Sequence, residues 1–235
     1  MKNKIIVIFS SHLSEKENLE FEQHITDTIG VAHNVHCYVN HNQWSLSQVY
    51  NNAIKEYHDD EAIMVFCHND IIFKTKNWGK KLLGKFNNLD YQIIGVAGGK
   101  TLYNHGCWWL NEIGNKMDIN NMIGIVEHTN GLRTWVSEYC KPFIGVKDVC
   151  LIDGLFMAVD TSELSQFFDE EFKGFHFYDL GLCVANWLEG INIGVVTDIR
   201  ILHKSIGITN QEWEENRIQF VEKYKEELPL NINKK

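Results

Sequence analysis

The sequence predicts an α/β fold in which a mostly parallel, twisted sheet carries helices on both faces. A smaller antiparallel or hairpin elaboration is expected in the second half. Three observations point there. Continuous apolar runs at 5–9, 35–39 and 63–73 alternate with segments of helical periodicity, giving the order β-α-β-α-β-α. The run at 5–9 is uninterrupted rather than alternating, as a strand buried on both faces requires. Further on, Asn130-Gly131 sits between two partly apolar arms, a strong local hairpin signal.

The elements follow in order. The run Ile5-Ile6-Val7-Ile8-Phe9 ends at Ser10-Ser11-His12, which reads as a strand entering a turn. Leu19, Phe21, Ile25 and Ile29 fall at helical spacing over 15–29, and Gly30 supplies a stop. A second strand over 35–39 precedes Ser45-Leu46-Ser47-Gln48, which has the form of a capping box. The helix it opens places Leu46, Val49, Tyr50, Ala53, Ile54 and Tyr57 on one face. The stretch 63–73 reads as a third strand interrupted by His68-Asn69-Asp70, and Trp78, Leu82-Leu83 and Phe86 mark another helix. A strand over 92–97 runs into Gly98-Gly99, and 149–159 is apolar except for Asp153-Gly154. Asp160-Thr161-Ser162-Glu163 predicts a short capped helix. Residues 179–189 form a helix stopped at Gly190, and 191–196 form a strand that leads to Ile201-Leu202-His203. Thr209-Asn210-Gln211-Glu212 caps a last amphipathic helix, ended by Pro229 and followed by an exposed tail.

With 44% hydrophobic residues, only two prolines and no linker-like run, the 235 residues read as one domain. Within it we expect a nucleotide-binding half over 1–100, an acceptor and catalytic half over 101–208, and the helix at 209–228. A net charge of −9 argues against nucleic acid as a partner. The six cysteines include no C-x-x-C pair and read as reduced, buried side chains. The first apolar run is too short for a signal segment or a membrane span, so a cytoplasmic location is expected, with any membrane association arising through the acceptor.

Three places could carry chemistry. His68-Asn69-Asp70 ends an apolar strand, and ligands of open α/β sheets bind at that carboxyl edge. An acid and an imidazole there suit a divalent ion, although polar residues at a strand end also simply cap turns. Asp179 opens a helix among aromatics and can be a cap, a helix-dipole partner or a general base. His203 follows a strand and precedes Lys204-Ser205-Ile206-Gly207; a lone histidine is commonly structural.

Taken in order, these pieces resemble the GT-A glycosyltransferases, specifically the inverting, family-two-like group, over roughly residues 4 to 205. The resemblance implies that His68-Asn69-Asp70 stands for the family's D-x-D motif, with His68 in place of the first acid. Asp70 then corresponds to the metal-binding acid and His203 to the late histidine that completes a Mn²⁺ or Mg²⁺ site. It also implies that Asp179 is the catalytic base, although Tyr178 stands where the family has Glu. The donor, expected to be a UDP-sugar, would meet Ser10, Ser11, Asn51, His68, Asn69 and Asp70. Asn51 lies in Val49-Tyr50-Asn51-Asn52-Ala53, which resembles the family's A-R-N-x-G helix. Asp153, Gly154, Trp108 and Trp109 would lie near the sugar or the acceptor, a glycan, lipid or protein hydroxyl. A homo-oligomer is compatible with this reading. Two other classes stay open: a non-catalytic sugar-nucleotide-binding module on the same fold, and a metal-dependent hydrolase.

Overall fold

The computed structural model describes residues 1–41, 43–205, 207 and 209–234. The first half runs β1 (Lys4–Ser11), α1 (Glu15–Ile29), β2 (Ala32–Val39), α2 (Leu46–Tyr57), β3 (Ala62–Cys67), β4 (Ile71–Phe73) and α3 (Trp78–Asn88). Then come β5 (Ile93–Gly95), β6 (Ala97–Gly99), β7 (Thr101–Leu102), β8 (Met122–Thr129), β9 (Thr134–Glu138), β10 (Lys147–Asp148), β11 (Leu151–Ile152) and β12 (Phe156–Val159). The chain closes with α4 (Tyr178–Leu188), β13 (Ile193–Val195), β14 (Ile201–His203), α5 (Gln211–Lys223) and β15 (Leu230–Asn231).

The helix boundaries have local causes. Ser14 and Glu17 form a reciprocal capping box that satisfies the first orphan N–H groups of α1, and Gly30 ends it in the left-handed region at φ 74°. Ser45 and Gln48 do the same for α2. At α5 the cap is Asn210, whose side chain accepts the Trp213 N–H, rather than Thr209. The short helix expected after Asp160 does not form. The Asp160 carboxylate instead accepts from the Ser162 N–H and Oγ–H, and Asn186 accepts the N–H groups of Ser165 and Gln166. Side-chain partners thus replace the helical ladder there.

Two sheets organise the chain. One has the order β10-β13-β5-β12-β3-β1-β2, the other β11-β6-β8-β14-β4 with β9 alongside β8. In the first, β2, β1 and β3 are parallel, as are β5 and β13, while β12 runs antiparallel to both β3 and β5. The predicted α/β class therefore stands: β1, β2, β3, β5 and β13 share one direction, and only β12 and β10 run against them. The hairpin at Asn130-Gly131 is present as β8–β9.

The second sheet also divides runs that look continuous in the sequence. The expected strand over 63–73 is β3 in one sheet and β4 in the other, with His68-Asn69-Asp70 as the crossing. The run over 92–97 splits into β5 and β6, and the run over 149–159 into β11 and β12, with Asp153-Gly154-Leu155 between them. Each crossing sits at the seam between the sheets. Ser10 and Ser11 are the last residues of β1 and not a turn. The segment after Pro229 is no exposed tail, since β15 pairs with β7 and buries Leu230.

The core lies under the first sheet and α1–α4. Ile5, Ile8, Val65, Phe66, Ile94, Phe156 and Trp78 are almost fully enclosed. Each such side chain contributes about 1.5–3 kcal/mol of burial free energy. The site is built on this rigid base.

Candidate functional site

A cavity of about 690 Å³ opens along the seam. Its floor is the set of crossings, Cys67 to Asp70 and Asp153 to Leu155, and its walls come from the ends of β1, β8 and β14 and from the start of α4.

The crossing at 68–70 is pinned on both sides. The His68 N–H donates to the Leu155 carbonyl at 3.2 Å, and the Lys204 N–H donates to the Asp70 carbonyl at 2.9 Å. The second bond comes from the residue after β14, whose antiparallel pairing sets His203 opposite Ile71. Asp70 and His203, distant in sequence, therefore meet. His203 Nε2 is 3.3 Å from Asp70 Oδ1, and His68 Nδ1 is 3.8 Å from the same oxygen. One ligand atom from each of the three residues lies within 4.8 Å of the others. Asp70 Oδ1 is buried and has no hydrogen-bond partner. A buried carboxylate oxygen left unbonded is costly unless a cation completes it. Burial opposes the charge on Asp70, but His203 and His68 outweigh it and hold the carboxyl well below its ordinary range. Burial also lowers the basicity of His68 against the attraction of Asp70, which favours the neutral, ligating imidazole. The residues fit a divalent ion.

On the opposite part of the floor, Phe177 adopts a left-handed backbone (φ 62°) immediately before α4. That conformation costs a bulky residue on the order of 1 kcal/mol or more. Ring contacts with Phe172, Trp213 and Phe220 hold it there. The turn presents Asp179 to the cleft, with Oδ2 accepting the Gly154 N–H at 2.8 Å and Oδ1 the Leu180 N–H at 2.9 Å. Desolvation, and then the charge of Asp153, raise its carboxyl from 3.8 to about 7. A carboxyl tuned near neutrality can take a proton at physiological pH.

The cleft's titratable lining is lopsided. Asp70, Asp153 and Asp179 face it together with His12, His68, His128, His176 and His203, and no lysine or arginine lines it among the described residues.

A family model described as "Glycosyltransferase like family" matches residues 5–224. This chain belongs to that glycosyltransferase-like family. No curated protein sequence matches it. Among solved structures, the crystal structure of GalNAc-T7 with UDP, GalNAc and Mn²⁺ superposes with a TM-score of 0.61 at 10% identity, over 96% of this chain and 49% of that one. The chain thus spans about half the length of that relative, and the likeness establishes the GT-A fold. A197 from STIV aligns at a TM-score of 0.45 and 10% identity, over 88% of this chain and 97% of that one. No helix among the described residues is long and apolar enough to cross a membrane.

In this glycosyltransferase-like chain, Ser10, Ser11, His68, Asn69, Asp70, Trp108, Trp109, Asp153, Gly154, Asp179 and His203 all line the one cleft. Ser11 and Asn69 are linked, Asn69 Nδ2 donating to Ser11 Oγ at 2.9 Å, while Ser11 donates to Asn18 at 2.6 Å. Asn51 is the exception. Its amide donates to the Phe168 carbonyl and to Glu170, and its oxygen accepts the Phe168 N–H. It is spent on bracing the 168–170 loop and does not line the cleft. Asn51 is a structural latch. The helix face that carries it does reach the cleft, through Tyr50 and Leu46.

His68, set apart from the ligands on the sequence because it replaces an acid, stands with them in space. Three further residues escaped sequence reading. His128 is the cross-strand neighbour of His203, its ring 5.9 Å from that of His203 and stacked on Trp135. Trp213 reaches in from α5 to meet Trp109 at 5.7 Å. Tyr139 closes the wall beyond β9. No local pattern marks His128, since β8 is buried without alternation from Met122 to Val126 and half-buried beyond. Of the loop after His203, Ile206 lies outside the described residues.

Proposed function

We propose that the protein transfers a sugar from a nucleoside diphosphate sugar to a hydroxyl acceptor in a single, inverting, metal-assisted displacement. The observation that carries the reading is the buried Asp70 Oδ1, which lacks a hydrogen bond and lies within ion-pair reach of two imidazoles, in one cleft with a carboxyl raised to about 7. His68, Asp70 and His203 would hold the ion. Two imidazoles in the donor set favour a transition-series ion over Mg²⁺, which prefers oxygen alone. The Mn²⁺ and UDP in the GalNAc-T7 structure support the same choice. When bound, the ion supplies charge neutralisation to the departing diphosphate.

Asp179 takes the proton of the acceptor hydroxyl as that oxygen attacks the anomeric carbon. The Gly154 and Leu180 N–H groups fix the orientation of its carboxylate. Ser10, Ser11 and Asn69 bind the nucleotide, with the Asn18–Ser11–Asn69 chain holding the Asn69 amide in place. Trp108 and Trp109, joined by Trp213, present aromatic faces suited to the C–H surface of a sugar acceptor. The first hundred residues thus serve the donor and the second half the acceptor.

The test is a panel of nucleotide sugars in thermal-shift assays with and without Mn²⁺, followed by donor hydrolysis measurements. A cognate donor raises the midpoint by mass action only when the ion is present. A panel without a metal-dependent shift would refute the reading, and a shift without hydrolysis or transfer would favour a binding module.

A further inference from the structure

Two of the positions at which the chain departs from the pattern it resembles, His68 for an acid and Tyr178 for Glu, touch each other. Tyr178 Oη lies 3.1 Å from His68 Nε2. The contact is built, not incidental. Tyr178 is buried, packed against Tyr50 and Phe168, and its hydroxyl sits over Gly154 so closely that a Cβ at position 154 would collide with it.

Geometry gives this contact a consequence. The ring nitrogen of His68 nearest Asp70 is Nδ1. A neutral imidazole carries one proton, so Nδ1 offers a lone pair to an ion only when Nε2 holds the hydrogen. A ligating histidine commonly donates that second N–H to a fixed acceptor, which sets tautomer and ring orientation. Tyr178 Oη is at the right distance and on the right side of the ring.

We propose that Tyr178 is a positioning residue: its hydroxyl accepts the Nε2–H of His68 and so turns the Nδ1 lone pair toward Asp70 and His203, while Gly154 provides the space the hydroxyl needs. The inference rests on the metal site proposed above and explains why a histidine serves where an acid is usual. An acid has no tautomer to set; a histidine at that place needs a partner.

The experiment measures Mn²⁺ dissociation constants by electron paramagnetic resonance of free Mn²⁺, without donor or acceptor. The proteins are wild type, Tyr178→Phe, Gly154→Ala, His68→Asp and the double variant His68→Asp/Tyr178→Phe, with circular dichroism to confirm folding. Tyr178→Phe keeps the packed ring and should weaken Mn²⁺ binding by about 10-fold, the scale seen for lost outer-shell partners. Gly154→Ala, which displaces the hydroxyl without removing it, should act in the same direction. In the His68→Asp background the Tyr178→Phe effect should vanish. Wild-type affinity in both Tyr178→Phe and Gly154→Ala would overturn the proposal, as would an equal loss in the His68→Asp background, which would mean that Tyr178 acts through packing. If the wild type binds no Mn²⁺, the metal reading of the function falls too; if it binds and the variants match it, only the role of Tyr178 falls.

Discussion

Replacing Asp179 by Asn separates the electrostatic account of the cleft floor from its geometry. In the folded protein the carboxyl is raised from 3.8 to about 7 by desolvation and the charge of Asp153. The native state therefore holds a proton that the unfolded chain releases near pH 4, and stability falls as pH rises from about 4 to about 7. The interval is about 3 pH units, which at 1.36 kcal/mol each gives a ceiling of about 4 kcal/mol. The cleft-facing side is partly solvated, which reduces the expected loss to about 2–4 kcal/mol. Asn carries no such charge, so the variant lacks this decline. It does give up one of the two backbone hydrogen bonds that Asp179 accepts, at about 1–3 kcal/mol independent of pH. Urea unfolding at pH 4 to 8 should thus show the variant less stable than wild type at acid pH, with wild type losing about 2–4 kcal/mol relative to the variant toward pH 8, enough to close or reverse the gap. Parallel stability curves would refute the raised carboxyl. In turnover, wild-type kcat/KM should climb with a midpoint near pH 7, and Asp179→Asn should lose about 10²–10⁴-fold while still binding nucleotide. Full activity in that variant would remove Asp179 from the role of base.

Other outcomes follow from the same geometry. Asp70→Ala should abolish the Mn²⁺-dependent rise in thermal midpoint, and isothermal titration with Mn²⁺ that matches wild type would count against Asp70 as a ligand. Asn51→Ala removes three hydrogen bonds to the 168–170 loop and should cost about 2–4 kcal/mol in denaturant unfolding with donor affinity unchanged; a selective loss of donor affinity would return Asn51 to the binding site. Trp213→Ala should raise the acceptor KM several-fold and leave metal-dependent donor hydrolysis near wild type, whereas a fall in hydrolysis would place Trp213 on the donor side.

Much of this could be read from the residues because local rules and burial agree. The capping boxes at Ser14 and Ser45, the buried runs of β1 and β3 and the turn at Asn130-Gly131 each carry their own signature. The division between two sheets does not. Val96 and Asp153-Gly154-Leu155 sit inside runs whose hydrophobicity never lapses for long, and only long-range pairing decides which sheet each half joins. The same limit governed the site. Asp70 and Asp179 announce themselves as acids at element ends, but His128 becomes visible only once β8 lies beside β14. Asn51 shows the reverse error. Its local motif was suggestive, and its hydrogen bonds run to a loop more than a hundred positions away, where no local pattern points.

The charge inventory of the cleft has a kinetic side. On a chain of net charge −9, Asp70 and Asp153 face the cleft with no lining lysine or arginine among the described residues, which biases its potential toward negative. A divalent cation is drawn in, and a bare nucleoside diphosphate sugar is held off. Association then has a direction: the ion enters first or arrives already paired with the donor. Added salt should slow the entry of the metal and speed that of the uncomplexed nucleotide, because screening weakens attraction and repulsion alike. For a protein of this charge pattern, ionic strength sorts the order of arrival.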